Sequence, residues 1–246
     1  ANIAQGTNSI LATKMGLSLS DYVVTEAGFG YDLGAEKFLD IKCREAGLSP
    51  HAVVIVATIR ALKYHGGKSL KELNEPDATA VAKGAVNLEK HLENALQFGL
   101  TPVVAINQFK NDTEEEIEAV RSACAKLGVE VSLANVWGKG GEGAEDLARK
   151  VAAAADACTA QFKPLYDLSD SIETKIEKVA INYYGAARVE FVGKANLHLK
   201  RIKNLGLEHL PICIAKTQKS LSDNPDLIGR PTGFTLTIRE IEIAAG

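Results

Sequence analysis

The sequence predicts an α/β protein in which a mostly parallel sheet, flanked by helices, is followed by a smaller α+β unit. Two continuous apolar runs, 53–58 and 102–106, are typical of strands buried on both faces of a parallel sheet. Helical patterns lie between them, which gives the alternation expected of βαβ units. After residue 162 this alternation changes, so we predict two domains, 1–162 and 163–246.

The elements of the first domain follow from local signals. The apolar stripe Leu88, Leu92 and Leu96 predicts a helix that ends at Gly99. A capping box of Thr113 and Glu116 opens the next helix. The extended run 21–26 predicts a strand that precedes a glycine-rich loop.

The elements of the second domain are shorter and less regular. Apolar spacing over 172–183 predicts a helix, 188–192 a strand, and Leu199 with Ile202 a further helix. The runs 210–215 and 234–243 are interpreted as two more strands.

Composition excludes several classes of protein. The 246 residues are 46% hydrophobic and carry a net charge of -3, without the positive excess of a nucleic-acid-binding surface. The sequence has neither an apolar run of membrane-spanning length nor a signal peptide pattern, so we expect a soluble, cytoplasmic protein that binds no membrane. Four isolated cysteines favour core packing in a reducing compartment. Because the chain starts at Ala1 and stops at Gly246, we expect a truncated segment of a longer polypeptide.

The first candidate ligand loop, 29–38, follows the run 21–26. Glu26, at the predicted strand end, is a candidate to hold a hydrated magnesium ion or to orient a phosphate; helix capping or a salt bridge is the alternative. Gly28, Gly30 and Gly34 imitate a dinucleotide-binding pattern, but with one residue too many between the last two.

The second candidate loop follows the run 53–58 and is rich in cations. Gly67, Lys68 and Ser69 imitate the end of a phosphate-binding loop, but Leu62 stands where that motif needs another glycine. We therefore reject a Walker A motif here. The cations of this loop either face an anionic ligand or are solvated at the surface.

The third candidate loop follows 102–106 and contains Asn107, Phe109 and Asp112. Amides and carboxylates can bind the hydrogen-bonding edge of a heterocycle, and Phe109 offers a face for stacking. A turn and a helix start are the competing explanation for Asp112.

A fourth loop, 133–143, holds the only tryptophan of the chain, Trp137, among glycines that include Gly140 and Gly141. A broad aromatic ring beside flexible backbone suits a flat aromatic ligand. Packing of Trp137 in the hydrophobic core is the alternative.

Five strings in order resemble the formate-tetrahydrofolate ligase family over essentially the whole chain. They are VTEAGFGYDLGAEKF (24–38), VATIRALKYHGG (56–67), the segment 103–109, the segment 137–143 and KTQKSLSDNPDLIGRPTGF (216–234). The resemblance implies a core like that of the P-loop NTPases, with smaller appended domains. It also implies ATP-dependent formylation of tetrahydrofolate through formyl phosphate, with Mg²⁺.

The resemblance also implies site residues and partners. Phe29, Phe109, Leu133 and Trp137 fall on family positions that enclose the folate ring system. The candidate nucleotide or phosphate contacts follow from position in the loops and not from the resemblance, and no catalytic residue is assigned; they are Glu26, Gly28, Gly30, Asn107, Asp112, Gly140 and Gly141. The expected partners are formate, tetrahydrofolate and ATP, and the intact enzyme of this family is expected to be a homo-oligomer.

Two alternatives stay open at this point. Family members carry a Walker A motif upstream of the matched region, so we expect little or no ligase turnover from this chain alone. A non-catalytic folate- or nucleotide-binding fragment is therefore one alternative. An oxidoreductase that uses the Gly28, Gly30 and Gly34 loop is the other, although no acidic residue ends the next strand, near Thr58, to hold a ribose.

Overall fold

A computed structural model describes residues 9–159 and 161–244. These residues form two compact units. The first unit comprises the chain up to Leu48, the stretch Pro164–Asp226 and the chain from Pro231 on. The second unit comprises Ser49–Lys163 and Leu227–Arg230.

The helices and strands are numbered in chain order. The strands are β1 (Val53–Ala57), β2 (Pro102–Asn107), β3 (Glu130–Ala134), β4 (Arg188–Phe191) and β5 (Thr235–Ile238). The α-helices are α1 (Ile10–Leu19), α2 (Arg44–Ala46), α3 (Ile59–His65), α4 (Ala78–Gln97), α5 (Glu114–Ala125), α6 (Val136–Lys139), α7 (Glu145–Asp156), α8 (Ile172–Lys178) and α9 (Ala195–Asn204). Tyr31–Ala35, Phe38–Cys43 and Val179–Tyr184 are π-helical, and Gly140–Ala144 is a 3₁₀ helix.

The second unit is built on a parallel three-stranded sheet in the order β1-β2-β3. The central strand β2 is buried from Pro102 to Ile106, as expected for an apolar run covered on both faces. The predicted strands at 53–58 and 102–106 are thus confirmed, and so is the mixed α/β class with helices flanking a parallel sheet.

The helices of the second unit also match their sequence signals. Leu88 and Leu92 of the predicted stripe are buried, whereas Leu96 is 48% exposed, and the chain leaves α4 at Gly99 with a φ of 75°. Both hydrogen bonds of the Thr113 and Glu116 capping box are present at the start of α5.

Helices α3 and α4 approach each other backbone to backbone. A Cβ atom on Gly84 would lie 1.9 Å from the carbonyl oxygen of Leu62, and one on Gly66 would lie 2.0 Å from that of Ala80. Glycine is required at both positions because any side chain would force these helices apart.

The first unit contains a small parallel pair, β4 with β5, and the helices α8 and α9. The predicted helix over 172–183 is present, with its last turns π-helical. The predicted strand over 234–243 is shorter, because only Thr235–Ile238 pairs with β4. No helix among the described residues is long and apolar enough to cross a membrane.

Two strand predictions in the first unit are wrong. Residues 21–26 form no strand, and Val24 is 85% exposed rather than packed on a sheet. Residues 210–215 are irregular because side chains take up their backbone groups. Tyr166 accepts a hydrogen bond from the Ile212 N–H at 3.1 Å, and the Lys175 ammonium donates to the Leu210 carbonyl at 3.1 Å.

The division into domains 1–162 and 163–246 stays a prediction. The compact units share its boundary near residue 163, but they group the chain up to Leu48 with the segment from Pro164. Two contacts illustrate this grouping. The Leu165 N–H donates to Asp40 Oδ1 at 2.8 Å, and Arg44 donates to the Tyr166 carbonyl at 2.6 Å.

The cysteines only partly follow the expectation of core packing. Cys43 and Cys124 are buried, whereas Cys158 is half-buried and Cys213 is exposed. Burial raises the pKa of the Cys43 thiol to about 12 and that of Cys124 to about 11, which keeps both thiols protonated.

Candidate functional site

The carboxyl ends of β1, β2 and β3 meet at one edge of the parallel sheet in the second unit. The register pairs Ala57 with Ile106, and Asn107 with Ala134. Open α/β sheets bind ligands at this edge, because loops from several strands converge there. The loops that carry Phe109 and Trp137 both leave from this edge.

The loop after β2 is a closed turn that presents Phe109. The Phe109 N–H donates to Asp112 Oδ2 at 2.7 Å, and the Asp112 N–H donates to the Phe109 carbonyl at 3.1 Å. Burial raises the pKa of Asp112, although the hydrogen bond from Phe109 opposes this effect. The turn accounts for Asp112, yet the Phe109 side chain stays 46% exposed and open to a ligand.

The loop after β3 presents Trp137 on the short helix α6. The Asn135 side chain accepts a hydrogen bond from the Gly138 N–H at 3.0 Å, and the Asn135 N–H donates to the Gly143 carbonyl at 3.0 Å. A Cβ atom on Gly143 would lie 2.1 Å from the Asn135 carbonyl oxygen, so this close approach requires glycine. Trp137 is 94% exposed, which excludes the alternative that it packs in the core.

The remaining predicted residues of this edge are spread along the same two strand ends. Leu133 is half-buried on β3, paired with Ile106, while Asn107 is exposed at the end of β2. Gly140 and Gly141 are exposed, and added Cβ atoms there would meet no heavy atom within 4 Å in the described part of the chain. Gly140 has a φ of 58° and a ψ of -140°, a conformation that favours glycine.

The cations of the loop after β1 are engaged inside the second unit. Lys63 is 1% exposed; its ammonium lies 2.8 Å from Glu116 Oε1 and donates to the Glu75 carbonyl at 2.9 Å. Lys68 pairs with Asp77 at 2.7 Å. Both lysines are paired with carboxylates and are therefore not available as a phosphate cradle.

The first unit carries Glu26, Gly28, Phe29 and Gly30. Glu26 is exposed in irregular chain, so no strand delivers it or the glycines that follow. A Cβ atom on Gly34 would lie 1.5 Å from the Gly28 carbonyl oxygen, which shows that these glycines serve a tight backbone crossing. The strand that a dinucleotide-binding loop needs before it is missing, and this argues against the oxidoreductase alternative.

The described residues do not fit a protein-built magnesium centre. No group of three or more histidine, cysteine, aspartate or glutamate side chains in this part of the chain is placed to hold a metal ion. Glu26 therefore stands by itself as a metal candidate.

Sequence reasoning missed a buried polar cluster in the first unit. The Lys216 ammonium binds the Asp32 carboxylate, with the two side chains 1% and 8% exposed. Glu36, close by in sequence, is fully buried, and the Lys37 ammonium lies 3.6 Å from its Oε2. No local pattern could reveal the pair, because Lys216 lies 184 positions from Asp32.

Fold and site together define an α/β protein whose parallel sheet has the ligand-binding edge common to small-molecule enzymes. Two exposed aromatic rings on neighbouring loops mark that edge. The family model for formate–tetrahydrofolate ligase matches residues 1–246. The chain therefore belongs to the formate–tetrahydrofolate ligase family, which confirms the resemblance seen in its five strings and identifies it with a family of ligases.

Proposed function

We propose that this chain supplies the folate-binding surface of an ATP-dependent formate–tetrahydrofolate ligase. The reaction converts formate, ATP and tetrahydrofolate into 10-formyltetrahydrofolate, ADP and phosphate by way of formyl phosphate. Membership of the family supports the ligase activity in general. The assignment of individual residues rests on the geometry of the sheet edge.

The observation that carries the proposal is the exposure of Trp137 and Phe109 on loops that leave adjacent parallel strands. Trp137 is 94% and Phe109 is 46% exposed, although both rings are largely apolar. Large aromatic surfaces left in water at a strand-end edge are typical of contacts with a flat ligand. The pterin ring of tetrahydrofolate is such a ligand. Half-buried Leu133, on the strand β3 that precedes the Trp137 loop, adds an apolar contact.

Polar groups at this edge suit the rim of the pterin. Asn107 ends β2 with its side chain exposed, and an amide both donates and accepts hydrogen bonds. Asp112 has one oxygen committed to the Phe109 N–H, which fixes the turn that carries the ring. We propose that Asn107 binds the heterocycle edge, while Asp112 positions Phe109.

The chemical contribution of these residues is positioning. In the transfer step the N10 amine of tetrahydrofolate attacks the formyl carbon, a C–N bond forms, the bond to phosphate breaks and the amine loses a proton. Contacts of the ring with side chains on hydrogen-bonded turns would orient N10 for that attack. ATP, when bound, supplies the phosphoryl group that activates formate. Gly140 and Gly141 are the proposed backbone contacts for its phosphates, since both are exposed.

Phe29 is proposed as a separate folate contact carried by the first unit. Its side chain is 73% exposed, and the flanking residues Gly28 and Gly30 add no side-chain bulk. Because Phe29 lies in the first unit and Trp137 in the second, the proposed folate contact of each unit is tested with a separate variant.

A titration of the 246-residue chain with tetrahydrofolate tests the binding proposal. Because Trp137 is the only tryptophan, its fluorescence reports directly on the proposed surface. We expect saturable quenching. Trp137→Ala, measured by calorimetry, should weaken binding by about 1–3 kcal/mol. Leu96→Ala is the matched control, because Leu96 is also exposed but lies on α4. Unchanged affinity in a folded Trp137→Ala variant would reject Trp137 as a ring platform.

A non-catalytic folate-binding protein is the second candidate. It is favoured by the engagement of Lys63 with Glu116 and of Lys68 with Asp77, which leaves neither lysine of that loop for a phosphate. Phosphate release from ATP in the presence of formate and tetrahydrofolate separates the two. Folate binding without phosphate release identifies a binder, and release that needs all three substrates identifies a ligase.

A further inference from the structure

Phe29 has a strained backbone. It is the one residue other than glycine with a positive φ, 62°, in the described ranges 9–159 and 161–244. A bulky side chain in this left-handed region costs free energy and persists only where surrounding contacts hold it. Such strain together with 73% exposure indicates that the first unit holds this ring outward against its local preference.

The contact that holds the loop is the buried pair of Lys216 with Asp32, three residues after Phe29. The Lys216 ammonium also donates to the Ser220 carbonyl at 2.6 Å and to the Thr217 carbonyl at 3.2 Å. It lies 4.9 Å from the centroid of the Tyr184 ring. All partners of this cation thus belong to the protein, and its side chain is 1% exposed.

A second contact holds Tyr31, one of the two residues between Phe29 and Asp32. The Tyr183 hydroxyl donates to the Tyr31 carbonyl at 2.8 Å, and the two rings stack with centroids 6.3 Å apart. The Gly30 carbonyl accepts from the Gly34 N–H at 2.9 Å, which closes the first turn. The segment that follows Phe29 is therefore fixed at both its backbone and its side chains.

We propose that Lys216 is a positioning residue for folate binding. Through its pair with Asp32 it holds the chain so that Phe29 keeps its left-handed conformation and an outward ring. This inference rests on the proposed function, in which Phe29 contacts the folate ring. The Lys216 side chain is enclosed by protein, so it acts through the loop and not by direct contact with the ring. A buried ion pair adds little net stability over an apolar pair, but its hydrogen bonds select one geometry.

The first test measures the loop without any ligand. Lys216→Met removes the cation and keeps most of the volume. We expect faster amide hydrogen exchange in residues 28–34, which reports local opening. Lys178→Met is the matched control, because Lys178 pairs with Asp170 at 2.6 Å in the same unit, with the side chains 37% and 22% exposed. Asp32→Asn provides the same test with a smaller change if Lys216→Met does not fold. Unchanged exchange in residues 28–34 would overturn the proposal.

The second test asks whether Lys216 acts through Phe29. We expect Phe29→Ala and Lys216→Met each to weaken tetrahydrofolate binding about tenfold, which corresponds to about 1.4 kcal/mol. The double variant should bind no more weakly than Phe29→Ala alone, because the ring that Lys216 positions is then absent. Additive losses would show that Lys216 acts by another route and would refute the positioning role.

The two proposals fail in different ways. If Phe29→Ala binds tetrahydrofolate normally, the folate role of Phe29 is wrong, and the positioning role falls with it. If Phe29→Ala binds weakly while Lys216→Met binds normally, the folate role stands and only the positioning role is wrong.

Discussion

The buried pair of Lys63 with Glu116 allows a sharp test of what holds the second unit together. The Lys63 ammonium nitrogen lies 2.8 Å from Glu116 Oε1, and the two side chains are 2% and 0% exposed. Removing one partner of such a pair leaves an uncompensated buried charge, which costs about 3–5 kcal/mol. Lys63→Met should therefore destabilise the second unit by this amount. Glu116 also accepts hydrogen bonds from the Thr113 and Asp77 N–H groups, so the loop before α5 should loosen too.

The pair of Lys68 with Asp77 is the internal control. The Lys68 ammonium nitrogen lies 2.7 Å from Asp77 Oδ2, which is close to the distance in the Lys63 pair, but these side chains are 27% and 26% exposed. A solvated pair contributes about 0–1 kcal/mol, so Lys68→Met should cost little. Native-state hydrogen exchange of β2 amides measures the opening free energy of this unit directly. If Lys63→Met and Lys68→Met lowered the opening free energy by the same amount, burial would not be what makes the Lys63 pair important.

Two further predictions concern pH and a close backbone approach. Burial raises the pKa of Glu36 from 4.5 to about 8. Between pH 4.5 and about pH 8, the folded chain therefore keeps a proton that the unfolded chain has lost. The free energy of unfolding should therefore fall as the pH rises through this window, and Glu36→Gln should reduce that fall to the part due to Asp40, whose pKa burial raises to about 7; parallel urea-unfolding profiles would contradict this. Gly143→Ala should displace the loop that carries Trp137 and shift its fluorescence spectrum, because the new Cβ would lie 2.1 Å from the Asn135 carbonyl oxygen. Gly141→Ala, which meets no atom within 4 Å in the described chain, should leave the spectrum unchanged.

The parts of the fold that local chemistry determines could be predicted from the sequence. The apolar run 102–106 became the central strand β2, and the Thr113 capping box opened α5. The strand predicted at 210–215 failed for a non-local reason. A hydroxyl from Tyr166, 46 positions away, takes the Ile212 N–H that a strand would offer to a neighbour. Apolar spacing carries no information about such a partner.

The candidate site likewise contains residues that the sequence could predict and residues that it could not. Phe109 could be assigned to a strand-end loop because it follows the apolar run 102–106, and Trp137 to a ligand loop because a glycine cluster follows it. The sequence left open whether Trp137 packs in the core, and only the structure shows its exposure. The pair of Lys216 with Asp32 could not be predicted, since neither residue carries a local signal for the other.

The glycine contact between α3 and α4 has a consequence for motion at the ligand edge. Where the backbone at Gly84 meets the backbone at Leu62, no rotamer change can absorb a displacement, so we expect these two helices to move as one piece. Adjustment to an incoming ligand is then expected from the exposed side chains of Phe109 and Trp137, which the turns after β2 and β3 carry. The rigid side of this edge is thus set by missing side chains, and its adaptable side by the two aromatic rings.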